Sequence, residues 1–265
     1  MEEQPRLGSG QGAAWYRVVL AFAAFLILVN GDPARAGSDD TALDFEWAET
    51  YAGVFAGYGR MNTRLVDVDG FANWGNPGSG SNYNDDGFAG GVLVGKKFGI
   101  GRVPFRIEVD GTFGDLSADT NTLDPEGLDE TAKAEFRWSI TTRAGIEQAI
   151  GQTTFFATGG LAIARIANSV TDIDFPPTRV DPDDSFRDSS TEIGWVIGAG
   201  VETPLAADWI LRFEGSYLDF GSSSYNVNRS GNNSCGPGNP RRPCPYHVEH
   251  NLTLVRLAII HPFSW

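Results

Sequence analysis

The side chains in this sequence that could carry chemistry fall into three sets. His247 and His250 lie close together near the C-terminus, downstream of the serine run Ser222, Ser223 and Ser224. A hydrolase or lipid-modifying enzyme needs a nucleophile or carboxylate held beside a base, and no nucleophile motif surrounds these residues. Haem ligation needs a histidine in an apolar pocket, whereas both histidines have polar neighbours. The second set is Cys235 and Cys244, which enclose Gly-Pro-Gly-Asn-Pro-Arg-Arg-Pro. In an oxidising compartment this pair is expected to form a disulfide, and two thiols alone do not complete a metal's tetrahedral set. The third and largest set is charges that alternate with apolar residues: Arg106, Glu108, Asp110, Glu135, Arg137, Arg143, Glu147, Arg212, Glu214 and Arg256, with Glu192 and Glu202 in the same kind of setting. Mixed signs at two-residue spacing point to ion pairing on one face of a strand. The expectation is therefore no catalytic residue, no metal and no cofactor.

The elements that must position these charges follow from the spacing. Eight segments have strand character, at about 50–62, 87–98, 104–115, 132–149, 153–168, 190–204, 209–225 and 247–263. The connections Gly99–Arg102, Ile150–Gln152 and Leu205–Asp208 are short. The connections at about 63–86, 116–131, 169–189 and 226–246 are long, polar and rich in Gly, Pro, Asn and Asp. Short and long turns alternate strictly, as they do in outer-membrane barrels with tight periplasmic turns and extended extracellular loops. Within the third segment, Phe105, Ile107, Val109, Gly111 and Phe113 oppose Arg106, Glu108, Asp110 and Thr112. In the fourth, Phe136, Trp138, Ile140, Thr142, Ala144 and Ile146 are expected opposite Glu135, Arg137, Ser139, Thr141, Arg143 and Glu147. In the seventh, Trp209, Leu211, Phe213 and Tyr217 oppose Arg212, Glu214 and Ser216.

A soluble barrel would turn the apolar face inward and a membrane barrel would turn it outward, so alternation alone does not choose. Three features favour the membrane. The polar faces carry both signs, as pairing in a narrow interior requires. Aromatics gather near the strand ends in two groups: Phe105, Phe155, Trp209, Phe263 and Trp265, and Phe113, Trp138 and Tyr217. The last strand closes on Val255, Leu257, Ile259, Phe263 and Trp265, all on one face. Segments one, two and five do not declare which face points in. Export fits this reading. Val18–Val29 is a run of 12 apolar residues preceded by Arg6 and Arg17 and followed by Ala34-Arg35-Ala36. A spanning helix needs about 20, so residues 1–36 read as a cleavable signal peptide, 37–49 as a periplasmic lead-in and 50–265 as the barrel.

Composition agrees with an all-β chain: 33 Gly among 265 residues suit many tight turns, and Gly costs a helix interior about 1 kcal/mol relative to Ala. A net charge of −14 argues against nucleic acid as a partner. The acids outside the strand segments read as solvated loops, and Asp67-Val68-Asp69-Gly70 lacks the distal acid of a calcium loop.

Ile193-Gly194-Trp195-Val196-Ile197-Gly198-Ala199-Gly200-Val201-Glu202, then Asp208-Trp209, then Glu214–Gly221 resemble the sixth and seventh strands of the small porin-family surface proteins of alphaproteobacteria. Arg143–Ile146 and Phe156–Ala162 are similar to that family's fourth and fifth strands. The resemblance covers about 45–265 and implies an OmpA-like, eight-stranded, up-and-down antiparallel transmembrane barrel. It implies that Leu257, Ile259, Phe263 and Trp265 form a C-terminal signal for the barrel-assembly machinery, although Trp265 stands where Phe is usual. The expected role is that of a non-enzymatic, monomeric structural and surface-interaction protein of the outer membrane, in contact with its lipid and lipopolysaccharide. The pair Arg241 and Arg242 is one place for a lipopolysaccharide phosphate. Alternatives are a narrow ion or small-solute pore, a haem-binding surface protein and a lipid-modifying enzyme; an eight-stranded barrel is only wide enough for side chains to fill it.

Overall fold

A computed structural model of the chain describes residues 45–68, 77–78, 80–100, 103–120, 130–174, 179–206, 208–226 and 245–263. Eight strands, β1 (Phe45–Asp67), β2 (Gly80–Ile100), β3 (Val103–Thr120), β4 (Glu130–Ile150), β5 (Thr153–Asp174), β6 (Arg179–Pro204), β7 (Ile210–Asn226) and β8 (Pro245–Phe263), follow one another in chain order. Each pairs antiparallel with its neighbours and β8 pairs with β1, which closes the barrel. Closure leaves no sheet edge at the level where the full circuit is paired.

At one end the turns are tight. Gly151 takes a φ of 65° between β4 and β5. Between β6 and β7 the Leu205 and Trp209 amides donate to the Trp209 and Ala206 carbonyls at 2.8 and 3.0 Å, with Asp208 at a φ of 70°. At the other end the strands run well past the lengths expected from sequence. Much of 63–86, 116–131 and 169–189 is not loop but strand, and β1 begins at Phe45, inside the expected lead-in. The reason is that these segments carry apolar residues at many of their inward positions, between polar ones such as Thr63 and Asp67. Met61 and Leu65 of β1 and Leu116 and Ala118 of β3 point inward and are buried, so the hairpins gain a core of their own.

Two irregularities set which residues face in. In β4 the register against β5 slips between Phe136 and Trp138, making Arg137 a bulge residue. In β7 the register against β8 slips between Asp219 and Ser222, where Gly221 adopts a φ of 64°. A bulge shifts the alternation by one residue. Finally, β6 and β7 are paired only from Trp195/Asp219 to Pro204/Ile210; beyond that level β6 continues on β5 and β7 on β8.

Candidate functional site

The turn-end half of the barrel interior is a knot of charge. Arg106, Arg143, Arg212 and Arg256 face Glu108, Asp110, Glu202 and Glu214, and all eight are buried. Arg143 pairs with Glu108, with Glu214 and with Asp110 at 3.0 Å. Arg212 reaches Glu108 at 2.5 Å and Glu202 at 2.7 Å. Arg256 meets Glu214 at 3.0 Å and Asp110 at 3.2 Å. Arg106 holds Glu202 at 2.7 Å and Glu147. Lys97 closes the knot at the turn end, 3.0 Å from Glu202. Four guanidiniums thus balance four carboxylates, with Lys97 and Glu147 adding one of each sign. Such balance is what allows charges to be buried, since a lone one costs several kcal/mol.

Aromatic rings complete the packing. The Tyr51 hydroxyl donates to Glu108 at 2.9 Å. The guanidinium carbons of Arg106 and Arg256 lie 4.2 and 4.6 Å from the ring centres of Phe156 and Phe55, within cation–π range. Each ring lies over the glycine paired with it on the adjacent strand, and a Cβ at Gly91 or Gly200 would come within 2.6 Å of Phe55 or Phe156.

The outer wall at the same level is the reverse. Val54, Phe88, Val92, Phe113, Ile146, Leu161, Ile193, Phe213, Val255, Leu257 and Ile259 are all exposed there. Phe105 to Phe113 of β3 takes nine residues to cross this band, as a hydrocarbon core requires of a tilted strand. Trp195 and Tyr217 pack at 5.6 Å on its upper edge, as do Tyr58 and Phe88 at 5.2 Å, while Trp209 packs on His261 at 4.8 Å on its lower edge. Residues 46–234 match the family described as outer membrane protein beta-barrel domain. The chain belongs to that family. It is an outer-membrane β-barrel.

Relatives named as outer-membrane proteins agree with the assignment. The 31 kDa outer-membrane immunogenic protein of Brucella melitensis biotype 1 is 28% identical over 212 residues, 76% of this chain and 81% of that one. The 22 kDa outer membrane protein of Rhizobium leguminosarum bv. viciae is 26% identical over 148 residues, covering 56% and 60% of the two chains. Among solved structures, the outer membrane protein OprG of Pseudomonas aeruginosa has a TM-score of 0.45 at 12% identity, covering 82% of this chain and 98% of that one. The outer membrane protease OmpT of Escherichia coli also has a TM-score of 0.45, at 8% identity, covering 85% and 100%.

Above the band, on the extracellular side, the barrel inverts its pattern. Outward positions become polar: Arg60 and Arg64 of β1, Asp86 of β2, Lys133, Glu135 and Arg137 of β4, and Thr253, Asn251 and Glu249 of β8. Inward positions become largely apolar, with Met61, Leu65, Phe136, Ile166, Tyr246, Val248 and Leu252 in one buried cluster and Thr63, Asn168, Glu192 and His250 buried among them. Where the two tiers meet, a cavity of about 10 Å³ lies among Asp110, Ser139, Thr141, Leu218 and Leu252, room for about one water.

Of the ten charges expected inside, Arg106, Glu108, Asp110, Arg143, Glu147, Arg212, Glu214 and Arg256 line the interior. Glu135 and Arg137 do not. They lie on the outer surface, paired with each other at 2.5 Å, with Arg137 more than half exposed. The Arg137 bulge is the cause: it turns Phe136, Ala134 and Ala132 inward and moves the charged neighbours out. The structure also orients the ambiguous strands. Tyr51 and Phe55, Leu93, and Phe156 point inward on β1, β2 and β5, and Lys97 rather than Lys96 joins the interior knot.

The histidines fall on opposite faces. His247 is exposed, and His250 is buried with its Nδ1 3.0 Å from the Thr63 hydroxyl. Its level, beside the outward Asn251 and Glu249, is above the hydrocarbon band, and burial lowers its pKa to about 4. Ser223 donates instead to Glu192, which also accepts from Ser190 and Tyr225. Sequence reasoning missed this cluster, which bridges β6 and β7 above the point where their backbones part. Cys235, Cys244, Arg241, Arg242 and Trp265 lie outside the described residues.

Proposed function

We propose that this outer-membrane barrel acts as a closed, non-enzymatic anchor that holds surface hairpins above the membrane, a structural and surface-interaction role rather than a pore. The supporting observation is the interior itself. Each of its four guanidiniums meets at least two carboxylates, and the tier above is packed with apolar side chains. A permeating ion would have to part buried pairs and then cross a tightly packed, largely apolar plug, two unfavourable steps in series. The relatives' designation as immunogenic outer-membrane proteins fits hairpins displayed to the outside. Assembly would draw on the outward face of β8, where Leu257, Ile259 and Phe263 alternate.

Planar-bilayer recording tests this reading. The purified chain is expected to give no reproducible current steps. Unitary conductance in the unaltered protein that changes with Arg143→Gln would establish a conducting path and overturn the closed-anchor reading.

A further inference from the structure

The outward face of β4, β5 and β6 just above the hydrocarbon band carries a cationic grid that the closed-lumen reading does not use. The register aligns Trp138 with Arg165 and Arg165 with Thr191, and bulged Arg137 sits beside that row. One step up, Glu135, Ala167 and Ser189 stand side by side; the next row is Lys133, Ser169 and Arg187. Four cations therefore surround a shallow centre of Ala167, Ser169 and Ser189.

One carboxylate lies inside the grid. Glu135 is bound by Lys133 at 2.8 Å and by Arg137 at 2.5 Å. The hydrogen bond from Lys133 holds its carboxyl below the usual range against the opposing effect of burial, with Arg137 and Arg187 adding to the lowering. Among the described residues, Arg165 donates to the Thr191 hydroxyl, at 3.2 Å. On the neighbouring β3, Asp119 stands opposite Lys133, Ser117 opposite Glu135 and exposed Asp115 in the irregularity opposite the Arg137 bulge, so the positive surplus lies on the β5 and β6 side of the grid. The other side of the barrel behaves differently: Arg60 and Arg64 each face a carboxylate, Asp86 at 3.9 Å and Glu249 at 3.8 Å. The surplus of positive charge is thus local, on a chain whose net charge is −14. Directly beneath it the outward residues are Trp138, Ile140, Leu161, Ile163 and Ile193, an apolar wall for acyl chains.

We propose that this grid is a binding site for the phosphorylated sugar headgroup of a glycolipid in the outer leaflet, with Arg137, Arg165 and Arg187 meeting phosphate and Ser169 and Ser189 meeting sugar hydroxyls. Guanidinium is the group suited to phosphate, which it can engage through two parallel hydrogen bonds. The bulge at Arg137 has a purpose on this reading, because regular alternation would have sent that side chain inward. The lipid, rather than a free anion, is the occupant because the grid sits on the rim of the apolar band, where headgroup and chains are met together. This inference rests on the outer-membrane placement and not on whether the lumen is closed.

The test uses the full chain refolded in detergent and titrated with bisphosphorylated lipid A, with dephosphorylated lipid A and with inorganic phosphate. Juxtamembrane cations favour an anionic lipid surface enough that removing three should weaken binding on the order of 100-fold. The triple variant Arg137→Gln, Arg165→Gln, Arg187→Gln is expected to lose that much affinity for the bisphosphorylated lipid, whereas Arg60→Gln with Arg64→Gln retains it. Glu135→Gln, which removes the one acid in the grid, is expected to bind more tightly and keeps the question answerable if the triple variant misfolds. Equal binding of the dephosphorylated lipid, equal loss in the Arg60/Arg64 variant, or no gain from Glu135→Gln would each overturn the proposal. Full competition by millimolar inorganic phosphate would make the grid a free-anion site and overturn the lipid assignment.

Discussion

Replacing Arg143 by Met tests whether the interior charges form one sealed unit. Arg143 bridges Glu108, Asp110 and Glu214, and the side chains of all four are at most 3% exposed. The substitution removes one positive charge and leaves Arg106, Arg212 and Arg256 to neutralise four carboxylates. Breaking a buried pair in this way costs about 3–5 kcal/mol, which is roughly a 100- to 5,000-fold loss in the folding equilibrium. Glu214→Gln alone should cost a similar amount, since it strands charge on Arg143 and on Arg256, 3.0 Å away. Combined, the two substitutions restore neutrality, so the double variant should cost clearly less than the sum of the singles. The assay is a urea titration of the chain in detergent, read by the different gel mobility of folded and unfolded barrel without boiling. Additivity within about 0.5 kcal/mol, or a cost for Arg143→Met below about 1 kcal/mol, would mean that water reaches these charges and the interior is not sealed.

Two more outcomes follow from the extracellular tier. His250 is held neutral by burial, with its pKa lowered to about 4 from an ordinary 6.5. The native state therefore gains stability from this residue fully above pH 6.5, and loses it as the pH falls toward 4 while the unfolded chain takes up the proton, by about 3 kcal/mol in all. His250→Gln should flatten the pH dependence of the urea midpoint between pH 7 and 4 relative to the unaltered chain; parallel curves would refute the buried neutral state. At the β6–β7 seam, Glu192→Ala removes the acceptor shared by Ser190, Ser223 and Tyr225, a loss of about 1–3 kcal/mol. Amide exchange should rise at 187–194 and 222–226 but not around Arg212 and Glu214; an unchanged pattern would show that the backbone alone holds the seam.

The parts of this architecture legible in the sequence were those with unbroken two-residue alternation. In β3, Arg106, Glu108 and Asp110 share a parity that no bulge interrupts inside the band, and the same holds for Arg212 and Glu214 in β7 and for Arg256 in β8. Their placement follows from strand geometry alone. The fourth strand departs from its sequence alternation above Trp138 because a bulge is a backbone event, and nothing in Ala134-Glu135-Phe136-Arg137-Trp138 marks it with Gly or Pro. By contrast, the β7 irregularity carries such a mark in Gly221. The strands extend past their sequence-expected ends because the polar stretches at 63–86 and 116–131 also hold inward apolar residues, Leu65, Tyr83, Leu116 and Ala118, that pack inside the barrel. The cationic grid was out of reach for a further reason: Arg137, Arg165 and Arg187 sit on three strands and meet only once the register is known.

The inversion between the tiers follows from one rule applied in two solvents. Inside the hydrocarbon band, apolar surface loses nothing by facing outward, so the interior is left to groups that can satisfy one another, and a narrow lumen forces acids and guanidiniums into contact. Above the band, water replaces lipid and the hydrophobic effect reasserts its usual direction; an apolar interior then stabilises hairpins that lipid no longer supports. A strand that continues from one solvent into the other must exchange its inner and outer residue types at the boundary. It can do so by changing composition, as β1 does between Tyr58 and Arg60, or by shifting parity with a bulge, as β4 does at Arg137. The chain as a whole has 41% hydrophobic residues and a mean hydropathy of −0.20. A membrane protein built in this way is indistinguishable by composition from a soluble one, and only the position-by-position pattern separates them.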